Sequence, residues 1–424
     1  MSVDFLLNNS LIAVTVVILC YIALRLIYKR SIITLYDPLH INVVILSCYL
    51  SIFALPIYIQ VSMTYWVVVL CLILFLIASS VPGGNKKYCS HQYLSMSDGN
   101  QLCISIIVLI ITFSNFFVNL LLVPIPLFSD DPALARGMYG SNSRLLFWAA
   151  SSTSLYPIQI FSLTNIKRVR YINVVSLIIL LTSTILAASK GALLNIVLMY
   201  FNYRFLLHLQ GKHFHKKHKK IINIILLTVI ISFPFAMKTS GYNNTLLDSL
   251  KVFIVRLLGG FDQLIYYIIA CQEPINHNLS ITQLYFLPFL KIFFSYQPEY
   301  NSVIDFFYIN YLGITSTANK MLPNSNLIME AIFTNGVVGG LFIVVAVGYT
   351  SFYIRKRLLE RHGLRLFDLM LSQFFVMAPF FWLMDGQRFF ISLYTAFITY
   401  VFYALTWLII TAIFFRKSIM IKLV

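Results

Sequence analysis

The chain has 424 residues, 59% of them hydrophobic and 11% charged, with a mean hydropathy of +0.84, which excludes a soluble globular domain, where about 25% of residues carry charge. Its formal charge of +17 sits in short breaks between apolar runs, so it marks loop orientation and contact with membrane lipid, and nucleic acid is excluded as the partner. A bilayer core of about 30 Å needs about 20 apolar residues per helix, whereas a barrel would show alternating strands of about 10 residues, so the fold class is all-α: a polytopic transmembrane helix bundle.

The first apolar run, Leu11–Tyr28, has no Lys or Arg before it and ends in Lys29 and Arg30. It lacks the basic leader of a cleavable signal peptide, and its charge places the N-terminus outside. Further spans are expected at Ile41–Ile59, Tyr65–Val81, Leu102–Val123, Leu145–Leu163, Tyr171–Ala187, Ala192–Leu207, Ile221–Met237, Leu327–Phe352, Leu366–Met384 and Phe389–Phe415. That makes about eleven spans of the length a bilayer requires, and every second break is basic. The basic breaks hold Arg25–Arg30, Lys86 and Lys87, Lys167–Arg170, Arg204–Lys220, Arg355–Arg365 and Arg416–Lys422. The His-rich run 211–218 lies in one of them, where it holds orientation and touches anionic lipid rather than metal. The expected location is a bacterial inner membrane, multi-pass, with the N-terminus periplasmic and the C-terminus cytoplasmic.

Three regions follow: an N-terminal transmembrane bundle of about eight spans over residues 1–237, a long periplasmic loop over 238–326, and a C-terminal bundle over 327–424. The loop is too long for a plain connection. Its stretch Leu246–Ala270 is apolar but carries Asp248, Lys251, Arg256 and Asp262, so it reads as an interfacial or re-entrant helix, and Ile281–Phe294 as another at the surface. The six cysteines are scattered, with no metal-ligand spacing. No cofactor and no metal are expected.

Nine basic residues fall on the outer side, against the orientation bias, and these carry the functional argument. Arg136, Arg144, Lys190, Arg256 and Arg388 are suited to a lipid diphosphate, since guanidinium presents paired donors to phosphate oxygens. Three of them also have a plain reading. Lys190, in the hairpin Ser189-Lys190-Gly191, is long enough to snorkel, and Arg136 and Arg144 share a loop with Asp130 and Asp131. Among outer carboxylates, Glu330 lies within one turn of Asn326 and Asp262 follows Arg256; these two are the candidate bases, with a helix N-terminal role as the alternative for Glu330.

The many spans, the short loop with Arg136, the hairpin Ser189–Leu194, the long loop with Arg256 through Asp262, and the segment Pro323-Asn324-Ser325-Asn326 ahead of Asn335-Gly336-Val337-Val338-Gly339-Gly340 resemble the Wzy-type O-antigen polymerases. The resemblance implies a GT-C-like bundle that joins oligosaccharide repeat units carried on undecaprenyl diphosphate at the periplasmic face. Donor and acceptor would both be lipid-linked, Asn324 and Asn326 would contact substrate, and a chain-length regulator is an implied partner. O-antigen ligases resemble the layout too, but tend to carry a histidine where this chain has Pro323 before Asn324. A flippase of the same lipid-linked sugars is the other alternative.

Overall fold

The computed structural model describes residues 10–29, 31–57, 60–79, 92–129, 153–187, 190–211, 260–271, 303–312, 326–372, 396–398, 400–401 and 403–409, with isolated residues and pairs between 135 and 150, 220 and 228, 273 and 294, and at 412. Within them the chain is mostly helical, as composition requires. Helix α1 (Ser10–Ile27) leads to α2 (Pro38–Tyr49), whose N-cap Asp37 accepts the Leu39 N–H at 2.9 Å, with Pro38 at a position where a missing N–H is harmless.

The expected span Ile41–Ile59 is not one α-helix. The chain tightens into 3₁₀ turns over Leu50–Ile57, because Pro56 has no N–H to give an α ladder and its ring crowds the carbonyl four residues back. After α3 (Met63–Ser79) and the strand β1 (Tyr93–Leu94) comes α4 (Asp98–Leu122), started by the Ser97 hydroxyl accepting from Asn100 N–H at 3.3 Å. The expected span Leu145–Leu163 is also interrupted. Thr153–Leu155 form a turn, and only then does α5 (Tyr156–Leu163) begin, with Pro157 in its first turn, the one place in a helix that tolerates proline.

The remaining elements are α6 (Lys167–Leu186), α7 (Lys190–Leu209), α8 (Gly260–Ala270), α9 (Val303–Leu312), α10 (Leu327–Glu360) and β2 (Gly363–Leu364). Strand β2 pairs in parallel with β1, Tyr93 opposite Gly363 and Leu94 opposite Leu364. Among the described residues three helical stretches are long and apolar enough to cross a membrane: Asp98–Phe128, Lys167–Leu186 and Leu327–Glu360. Five further apolar helices, α2 and α3 among them, are shorter.

The chain folds as two compact units, one of Met1–Lys87, Leu250–Lys356 and Met377–Ile391, the other of Tyr88–Ser249, Arg357–Val376 and Ser392–Val424. In the second, α4 is inside out relative to a water-soluble helix. Gln101, Ser105, Thr112, Asn115 and Asn119 are buried, while Ile110, Phe113, Phe117 and Leu121 are exposed. In lipid, apolar burial gives helices no reason to associate, and interhelical polar bonds of about 0.6 kcal/mol each take over part of that task. They are present: Asn173 Nδ2 donates to Ser105 Oγ at 2.9 Å, Thr164 Oγ1 to Gln101 Oε1 at 2.8 Å, and Gln159 Nε2 to Ser372 Oγ at 2.6 Å. Around them pack Ile104, Val108, Ile111, Ile160, Leu163 and Val169.

Candidate functional site: a buried acid on a reversed helix

Within the first unit the opening of α10 holds a carboxylate where a carboxylate is expensive. Asn326, Leu327, Ile328, Met329, Glu330, Ala331, Ile332 and Phe333 are all 0% exposed, so this stretch is enclosed on every side. It starts at Asn326, whose Oδ1 accepts the Ile328 N–H at 2.8 Å and whose carbonyl accepts the Glu330 N–H at 2.9 Å, which is the N-cap arrangement asparagine favours.

The stretch ends at Gly336, with φ 66° and ψ −177°. That backbone region is open to glycine almost alone. What it does to the path is shown by Gly340, where a Cβ would stand 3.1 Å from both the Cα and the N of Ile332. Eight residues of continuous helix rise about 12 Å, so such contact requires the chain to double back. The expected span Leu327–Phe352 is therefore two helical segments: 327–335 folds against the start of 337–360, and only the second is long enough to cross a bilayer. Gly340 has no side chain because the backbone of Ile332 occupies its place.

Aromatic rings hold the reversed segment. Phe333 sits with its centroid 5.2 Å from Tyr267 on α8, and 6.2, 6.1 and 6.1 Å from Phe306, Phe307 and Tyr311 on α9. Such edge-on and tilted pairs contribute about 0.5–1.5 kcal/mol each beyond their area. Helix α8 is in turn tied to the head of α3 by the Ser62 hydroxyl donating to the Ile268 carbonyl at 3.4 Å. At the other end, the Tyr49 hydroxyl from α2 lies beside Asn326. Positions 326, 330 and 333 share one helix face. Glu330 thus stands between the Tyr49 contact and the aromatic cluster, with its own carbonyl accepting from Thr334 Oγ1 at 2.8 Å. Asn335 continues the pattern by donating from Nδ2 to the Ala331 carbonyl at 3.1 Å and to Thr334 Oγ1.

Of the residues singled out in the sequence, Asn326 and Glu330 are brought together in this one turn. Asp262 lies in the opening turn of α8, in the same unit. Lys190 is the first residue of α7, three positions beyond Ala187, which caps α6, and belongs to the other unit. Arg136, Arg144, Arg256, Asn324 and Arg388 lie outside the described residues. Among the described residues no three His, Cys, Asp or Glu side chains converge as metal ligands, and Cys20, Cys48, Cys71, Cys103 and Cys271 are free.

Comparison with protein-family models, curated proteins and solved structures returns no match.

Sequence reasoning missed Tyr49, Tyr267 and the rings around Phe333, which are single aromatics in a chain with 26 tyrosines and 36 phenylalanines. It also missed two ion clusters. Asp37, wholly buried, accepts from Arg355 Nε at 3.1 Å and Nη2 at 2.7 Å and from the Ile33 and Leu39 N–H groups at 2.9 Å. Asp368, also buried, accepts from Arg357 Nε at 2.9 Å, Arg361 Nη1 at 3.0 Å and the Arg365 N–H at 3.0 Å. Both are saturated by their own partners, which fits structural pairing.

Proposed function

We propose that this chain is an inner-membrane glycosyltransferase that joins undecaprenyl-diphosphate-linked oligosaccharide repeat units into a polysaccharide at the periplasmic face. The observation that carries the reading is Glu330: a carboxylate enclosed in a membrane-type bundle, one turn from a capping asparagine, on a helix that reverses at Gly336. An ionisable group inside a membrane bundle is by default a candidate functional group, whereas the buried Asp37 and Asp368 are accounted for by their arginine salt bridges. In the proposed reaction an acceptor hydroxyl attacks the anomeric carbon of the donor, the bond to undecaprenyl diphosphate breaks with its electron pair, and the hydroxyl proton passes to Glu330 or to Asp262. The leaving group is already a stable anion, so cations matter more than a general acid. Of the outer cations, Arg256 and Arg388, which belong to the same unit as Glu330, are the proposed clamp.

Side-by-side contacts support the sidedness this reading needs. The Asp37–Arg355 pair, the Gln92 N–H on the Leu209 carbonyl and the Tyr93 N–H on the His362 carbonyl each join two segments that the charge pattern assigns to the cytoplasm. The Ser62–Ile268 bond joins two assigned outside.

The test is a ladder of lengthened products from purified protein and a lipid-linked repeat unit. Glu330→Gln is expected to lower the rate about 10²–10⁴-fold, the usual cost of losing a positioned base, and Arg256→Ala to abolish the ladder. Full activity in Glu330→Gln would remove Glu330 from the mechanism. A second reading, transport of the lipid-linked sugar, is favoured by the same reversal at Gly336, since broken helices with polar ends are the sites of many transporters. Transfer of intact lipid across proteoliposomes without any ladder would select it.

A further inference from the structure

Two helices of the second unit end on one glutamine. The Leu209 carbonyl at the end of α7 accepts the Gln92 N–H at 3.3 Å, and the Leu358 carbonyl near the end of α10 accepts from Gln92 Nε2. Because a carbonyl only accepts, the second bond fixes which end of the Gln92 amide is nitrogen and leaves Oε1 as the other end. Gln210 follows Leu209 directly. Oε1 of Gln92 and Oε1 of Gln210 have no hydrogen-bond donor, although the two residues are only 3% and 6% exposed. A buried acceptor left open costs about 1–3 kcal/mol, and here two of them stand at one junction.

The backbone donors around the junction are already spent. The Gln210 N–H goes to the Leu206 carbonyl at 3.0 Å, the Gly211 N–H to the His208 carbonyl at 2.9 Å, and the Tyr93 N–H to the His362 carbonyl at 3.0 Å. A buried water would need partners for its own oxygen as well as for its hydrogens. The C-terminal ends of α7 and α10 add about −0.5 charge each, while Arg357 and Arg361 of the same α10 end are turned onto Asp368. What fits a spot made of neutral oxygens and negative dipole ends is a small cation. Neutral carbonyl oxygens are the ligands of potassium-type sites, whereas calcium and magnesium sites draw on carboxylates.

We infer that the junction of α7, β1 and α10 binds a monovalent alkali cation, with Gln92 Oε1, Gln210 Oε1 and the second lone pairs of the Leu209 and Leu358 carbonyls as its protein ligands. Tyr93, Gly211 and Glu360 beside it are exposed, so the ion has a way in from water without crossing the bundle. Once bound, it fastens the ends of two helices to the strand between them. The site is independent of the glycosyltransferase reading, and its test needs no lipid-linked substrate.

Melting of the full chain, purified in detergent, is followed in N-methylglucamine chloride as sodium or potassium chloride replaces it at constant ionic strength. The melting point should rise and saturate with an alkali cation, as linkage requires of a ligand taken by the folded state, and the ion that saturates at the lower concentration is the one the site prefers. Gln210→Leu should lose this rise while melting in N-methylglucamine at or above wild type, because the open acceptor is gone. Gln210→Glu should saturate at lower concentration, since a carboxylate replaces a neutral ligand, and it decides the matter if the leucine variant fails to fold. The same melting point in all three salts would overturn the site. So would a rise that survives in Gln210→Leu, or a saturation midpoint unmoved in Gln210→Glu.

Discussion

Four donors converge on the carboxylate of Asp37, two from Arg355 and two from the backbone of its own turn, and the Arg355 side chain is itself only 12% exposed. Pairing of this kind is weak evidence for net stabilisation, because removing two charges from water costs about as much as their attraction returns. Breaking it is another matter. Asp37→Ala would leave a guanidinium enclosed without an anion and two turn N–H groups without an acceptor, so a loss of about 3–5 kcal/mol is expected. A thermal melt of the purified variant would read it, and a melting point within about 1 °C of wild type, which for a chain this size is under about 1 kcal/mol, would mean that water reaches the pair. Asp368 differs in exposure of its partners: Arg361 is 39% exposed, so Arg361→Ala should cost about 1 kcal/mol or less.

Three helices depart from the lengths that hydropathy gave, and each departure has a different visibility. Pro56 and Pro157 are plain in the sequence as places where an α ladder fails, yet a hydropathy window averages across them. Gly336 is not legible in this way. It stands among Gly339 and Gly340, any of which satisfies a loose pattern, and only the contact of Ile332 with Gly340 shows that the chain turns at the first of them. Membrane-length helices and the closeness of Asn326 to Glu330 were readable, because composition and one-turn spacing are local properties. The ring cluster at Phe333 was not, since it joins α8, α9 and α10 across sequence distances that no periodicity reports. Gly336→Ala should cost about 1–3 kcal/mol for a backbone region closed to alanine, and Gly340→Ala should add a clash at 3.1 Å that only backbone movement can relieve. Melting curves of the two single variants and the pair would show whether the reversal is one cooperative feature; additive losses would mean that the turn and the close approach are independent.

For the molecule as a whole, the charge pattern makes a direct prediction about sides. Reporters inserted after Gly211 and after His362 should report the cytoplasm, and one placed in the 313–325 segment should report the opposite side; matching signals from all three would overturn the layout. The helical class, the apolar outer faces and the alternation of basic breaks follow from composition, whereas the division into two units, each drawing on early, middle and late parts of the chain, does not. Arg355, Arg357 and Arg361 belong to one of the basic breaks from which the proposed layout takes the chain's direction during insertion. In the folded protein each is matched by an aspartate, Arg355 by Asp37 and the other two by Asp368. The charge a nascent loop shows to the insertion machinery is therefore not the charge the finished loop keeps. In the proposed layout, orientation is decided while these arginines are still unspoken for, and pairing with the two aspartates then takes up part of the signal that set it.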